Sequence, residues 1–106
     1  MAWIFLFLAG LFEIVWAVAM KASAGFSRLA PTLIMLAGMA ASFILLAKAL
    51  KDLPLGTAYT VWTGIGAVGT VVLGIWMYRE STDPLRLLFI TLIIAGIVGL
   101  KLTSPQ

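Results

Sequence analysis

The chain has 106 residues, 63% of them hydrophobic, and a mean hydropathy of +1.16. Seven basic and four acidic side chains cannot give so apolar a chain a polar shell, which excludes a water-soluble globule; the basic residues are scattered rather than gathered on one face, which speaks against nucleic acid despite a net charge of +3. With no cysteine and no histidine, disulfides, thiol chemistry, the usual metal ligand and the usual proton carrier are all missing, so no metal and no cofactor is expected and proton chemistry near neutral pH falls to carboxylates.

Hydrophobicity and punctuation predict an all-α integral membrane protein, a single transmembrane domain over 1–106 with four spans at about 3–21, 30–50, 56–77 and 85–102. In the first span Glu13 is the only ionisable residue between Trp3 and Met20. Ten residues beyond Trp3, it lies about 15 Å deep in a hydrocarbon layer about 30 Å thick. A central charge there costs about 3 kcal/mol to insert, so a chain that keeps one faces it inward and uses it. Helical spacing puts Gly10, Glu13, Trp16 or Ala17, and Met20 on one face. Gly10 lets a helix or substrate approach, and Trp16 offers one N–H donor. Small residues at Ala17, Ala19, Ala22 and Ala24 suggest a signal-peptide cleavage site, but no basic residue precedes Lys21 and Glu13 interrupts the apolar stretch, so the segment is expected to be retained.

Gly25 opens the first loop, and Pro31 suits the first turn of the second helix, where its missing N–H is not needed. Ser42 is the polar residue in mid-span, one turn beyond Gly38. It is either a partner for the carboxylate or a hydroxyl bonded to its own backbone. The third helix begins after Asp52 and Pro54 and carries Tyr59, Trp62, Thr63 and Gly66 at the i, i+3, i+4, i+7 spacing of one face. Two aromatic rings one turn apart can hold a cation; the rival reading is a packing stripe. With Gly10, Met39 and Thr63 are taken as lining of the same pocket.

Gly64, Gly66 and Gly69 spell the dinucleotide fingerprint GxGxxG, but no strand precedes it and no βαβ unit contains it. Within a membrane helix, these glycines and Gly74 instead permit close packing or a bend. Asp83 and Pro84 form a capped start for the fourth helix, which offers Ala95, Gly96 and Gly99 along one seam for helix association.

Short loops place both termini on one side of the membrane. Lys48, Lys51 and Lys101 then fall at one face, and Lys21, Arg28, Arg79 and Arg86 at the other, a balance of three against four. Such a chain has almost no preferred orientation. The second half has no counterpart of Glu13, so an inverted second copy would supply the missing repeat; the plainer reading is that a small bias fixes one topology.

The segments LFEIVWAVAMKASAGFSRLAP, LPLGTAYTVWTGIGAVG and AGIVGLKL resemble the small multidrug resistance family over essentially the whole chain, and Trp16 after Glu13 together with AYTVWTGIGAVG resembles its guanidinium-exporting subtype. The resemblance implies an antiparallel, dual-topology homodimer in the bacterial cytoplasmic membrane. In it, two copies of Glu13 take up either protons or a cation, with Trp16, Ser42, Tyr59 and Trp62 around them. It also implies that the fourth helix forms the dimer contact and that Gly64 to Gly69 is a bend.

Chemistry is consistent with that expectation. Burial and a second nearby carboxylate both disfavour the charged form, and guanidinium, planar and rich in N–H donors, matches a carboxylate by paired hydrogen bonds. If proton and cation compete for one site, an inward proton gradient drives export of guanidinium or a small substituted guanidinium, with no enzyme chemistry. The alternatives are export of quaternary ammonium or other lipophilic cations, a non-transporting membrane subunit whose Glu13 pairs with a partner helix, and a proton channel.

Overall fold

The computed structural model describes residues 1–103 as four helices: α1 (Ala2–Ala22), α2 (Leu29–Ala49), α3 (Leu55–Tyr78) and α4 (Pro84–Thr103). All four are long and apolar enough to cross a membrane. α1 packs along both α2 and α3, whereas α2 and α3 barely touch, and the backbone of α4 lies against that of α3. The result is a slab, 44 × 35 × 16 Å, rather than a round bundle.

Small residues set this arrangement. Ala2, Leu6 and Ala9 of α1 meet Ala49 at the end of α2, Leu53 in the turn that follows it, and Ala58, Val61 and Trp62 of α3, forming the core cluster. Four of these eight are alanine, so backbones approach closely and dispersion contacts replace the hydrophobic drive that lipid cannot supply. α4 buries no residue.

The connections are built from local hydrogen bonds. Between α1 and α2 the buried Ser23 donates from Oγ to the Met20 carbonyl at 2.6 Å and accepts from the Phe26 N–H at 3.1 Å. Ala24, Gly25 and Phe26 all take positive φ there, so the left-handed stretch extends beyond the glycine that marks it. Before α4, Asp83 Oδ1 accepts from the Leu85 N–H at 2.8 Å, with Pro84 as the first helical residue. α3 ends differently. Arg79 sits at φ 54, and the Glu80 N–H returns to the Gly74 carbonyl at 3.2 Å, a left-handed helix stop with no glycine at the left-handed position.

Alternation of the helices gathers the charges at two ends. Lys21 closes α1, Arg28 caps α2, Arg79 caps α3 and Arg86 opens α4 at one end, while Lys48, Lys51 and Lys101 collect at the other. Lys21 lies over the Tyr78 ring at 5.0 Å, Lys48 over Phe5 at 5.7 Å and Lys101 over Trp3 at 5.1 Å, so each long side chain runs along an aromatic ring toward its end of the slab.

Candidate functional site

Glu13 is the one acidic residue within the four helices. Its carboxylate packs on Gly66 of α3, where any side chain would overlap it. Oε1 is buried, and among the described residues it has no hydrogen-bond partner. The same holds for the indole nitrogen of Trp16, one turn further along α1. Trp16 is held from behind by Gly38 of α2, whose absent side chain admits it; a methyl there would stand 3.1 Å from Trp16 Cβ. Two helices thus surrender side-chain volume to seat one acid and one indole.

One turn toward the α1 N-terminus a second layer is fully satisfied. Ser42 Oγ donates to the Ala9 carbonyl at 2.7 Å and accepts from Trp62 Nε1 at 2.9 Å, joining α2 to α1 and α3 at once. Ser42 is wholly buried. Its hydroxyl is therefore spent neither on its own helix nor on Glu13, and Ser42 and Trp62 act as a clamp beside the carboxylate.

Aromatic rings continue from there. Trp16 and Phe43 have centroids 6.4 Å apart, Phe43 and Trp62 5.8 Å, and Trp62 and Tyr59 5.7 Å, each pair tilted. Phe43 is the member that sequence reasoning missed. An apolar ring in an apolar helix carries no contrast, and only its place beside Ser42 pointed to it.

The face expected to carry Tyr59, Trp62, Thr63 and Gly66 together is divided. Gly66 turns toward α1 and Trp62 toward α1 and α2, whereas Tyr59 and Thr63 line a groove of about 800 Å³ between α3 and α4, with Gly96 and Gly99 on its far wall. The physical reason is that α3 lies between α1 and α4, so a helical stripe meets two neighbours. Gly10, expected as pocket lining, is instead filled by Ile65, whose Cγ2 would lie 2.5 Å from an added methyl. Met39 is half-buried on α2.

Three glycines of α3 seat four side chains within one unbroken helix: Gly64 receives Ile93 and Ile97 of α4, Gly66 receives Glu13, and Gly69 receives Ile14. Ala95, Gly96 and Gly99 are exposed, and a methyl on either glycine would meet nothing within 4 Å.

A slab of four membrane-spanning helices with one acid midway along α1, set on a glycine with an indole one turn away, defines a multi-pass membrane protein with a buried polar centre. Comparison with known proteins makes this specific. The chain belongs to the small multidrug resistance family: the family model described as Small Multidrug Resistance protein matches residues 1–93. It is 61% identical over 104 residues to the guanidinium exporter of Yersinia pestis, covering 98% of this chain and all of that protein. It is 55% identical over 104 residues to the guanidinium exporters of Salmonella typhimurium and Escherichia coli, covering 98% of this chain and 99% of each.

Proposed function

We propose that this protein exports guanidinium across the bacterial cytoplasmic membrane in exchange for protons, as an antiparallel homodimer in which two copies of Glu13 form the shared site. The observation that carries the proposal is the buried, unpartnered Glu13 oxygen on Gly66, in a chain nearly full-length similar to proteins named guanidinium exporters. A neutral carboxylic acid is tolerated in that setting, and so is a carboxylate covered by a cation; the bare anion is not. Protons and guanidinium therefore take turns. Guanidinium fills both carboxylate oxygens with N–H donors, and the nearby Trp16 ring and N–H are positioned to limit its size and orientation.

The antiparallel pair rests on the three-to-four charge balance, on an α4 that buries no residue fully, and on the open seam at Gly96 and Gly99, a surface that fits a second copy. In that assembly one polar centre faces each side of the membrane in turn.

Purified protein in liposomes tests the proposal. A pH gradient should drive accumulation of labelled guanidinium that stops when the gradient is collapsed. A second reading, quaternary ammonium export, is favoured by the continuous ring series from Trp16 to Tyr59. Tetramethylammonium uptake matching that of guanidinium would select it.

A further inference from the structure

Glu13 is not the only carboxylate that α3 seats on a glycine. Eight residues beyond Gly66, about 12 Å along the helix, lies Gly74. A methyl on Gly74 would stand 2.5 Å from Glu80 Oε1, so the Glu80 side chain folds back onto the helix it has just left. It faces a cavity of about 240 Å³ between α1 and α3, lined by Ala17, Lys21, Thr70, Gly74, Tyr78 and Glu80 among others. Ala17 is one turn from Glu13, and Thr70 one turn from Gly66, so the cavity begins one helical turn beyond the Glu13 seat, on the side of the Glu80 end. Thr70 donates its hydroxyl proton to the Ala67 carbonyl at 3.0 Å, which leaves its oxygen as an acceptor.

The occupant of Glu80 is itself informative. Arg86 Nη2 donates to Glu80 Oε1 at 3.2 Å, so a guanidinium group already rests on this carboxylate. Of the other charges at this end, Lys21 lies on the Tyr78 ring and Asp83 caps α4. We propose that Glu80 is a second cation station at the mouth of the α1–α3 cleft, where a guanidinium ion exchanges with the Arg86 side chain on its way to or from Glu13. This rests on the guanidinium reading above. With Lys21 and Arg86 both at the mouth, an added cation is repelled, and only replacement of Arg86 leaves the local charge unchanged. The acceptors along the route, Glu80, Thr70 and Glu13, suit a substrate that only donates.

The rival role is a latch, in which the pair merely ties the end of α3 to α4. The two roles differ in sign. Initial rates of labelled guanidinium uptake by full-length protein in liposomes, at a fixed pH gradient, should give a KM raised about two- to fivefold by Glu80→Gln and lowered by a similar factor by Arg86→Gln, the span expected for half-exposed charge pairs. Maximal rates should stay within about twofold of wild type, Glu80→Asp should restore the KM, and high salt should shrink both shifts. Shifts in the same direction for both variants, or none in either while wild type transports, would overturn the station. Absence of guanidinium uptake by wild type would overturn the exporter reading itself, and the station with it.

Discussion

At the residue scale, the proposed chemistry rests on an acid whose buried oxygen, like the indole nitrogen of Trp16, is left without a partner while Ser42 and Trp62 are paired to one another. Glu13→Gln keeps the shape on Gly66 and removes titration, so coupled exchange should be lost while the variant still inserts and dimerises. Substantial proton-driven guanidinium uptake by it would contradict the shared site. Glu13→Asp, withdrawn by one methylene from Gly66, should remain active with a shifted pH optimum in the same uptake measurement. The Ser42 clamp makes a different forecast. Ser42→Ala strands the buried Trp62 N–H, a loss of about 1–3 kcal/mol, whereas Ser42→Ala with Trp62→Phe removes donor and acceptor together and should recover part of it. Thermal unfolding of the two singles and the double reads that coupling; additive losses would show the bond to be idle.

Glu13 was legible in the sequence because one acid in an apolar helix stands out against everything around it. The partner of Ser42 was not. A hydroxyl in a membrane helix can turn to its own backbone or to a neighbour, and only the close approach of α1 and α2 decides for Ala9. Phe43, for its part, was hidden among residues of its own kind.

Among the elements, α3 is the one that seats side chains of both α1 and α4, since its glycines receive Glu13, Ile14, Ile93 and Ile97 in turn. Gly66→Ala should therefore abolish transport with the helices intact, because the new methyl takes the place of the carboxylate. Gly64→Ala should do less: its nearest neighbour is the tip of Ile97, 2.8 Å from the added carbon, and that side chain can rotate away. Uptake assays with circular dichroism compare the two; equal transport losses would remove the special status of Gly66. The glycine spacing in the sequence announced close packing but not its partners, since those lie on two different helices. The start of α4 was fully legible from Asp83 and Pro84, whereas the end of α3 was not, because Arg79 carries no signature of a left-handed stop.

For the whole molecule, the proposed two orientations rest on the balance of charged ends. Adding two or three lysines near Lys51 in one variant, and near Arg28 in another, should fix opposite topologies by the positive-inside bias. Each should be inactive alone, and co-expression should restore guanidinium export. Cysteines introduced at either end and labelled from one side report orientation. One-sided labelling of the unmodified chain, with transport by each fixed variant alone, would make the active unit parallel. A monomer leaves α4 and its seam uncovered, which is why pairing was suggested by charge in the sequence and by bare surface in the structure.

All of this hinges on one carboxylate serving proton and cation by turns, and that is directly measurable as proton release. Guanidinium chloride added to purified protein in weakly buffered detergent solution, at a pH where Glu13 is largely protonated, should acidify the medium with saturation. The apparent affinity should weaken as pH falls, and Glu13→Gln should release nothing. Saturable guanidinium binding with no proton release at any pH, or equal release from Glu13→Gln, would contradict the account.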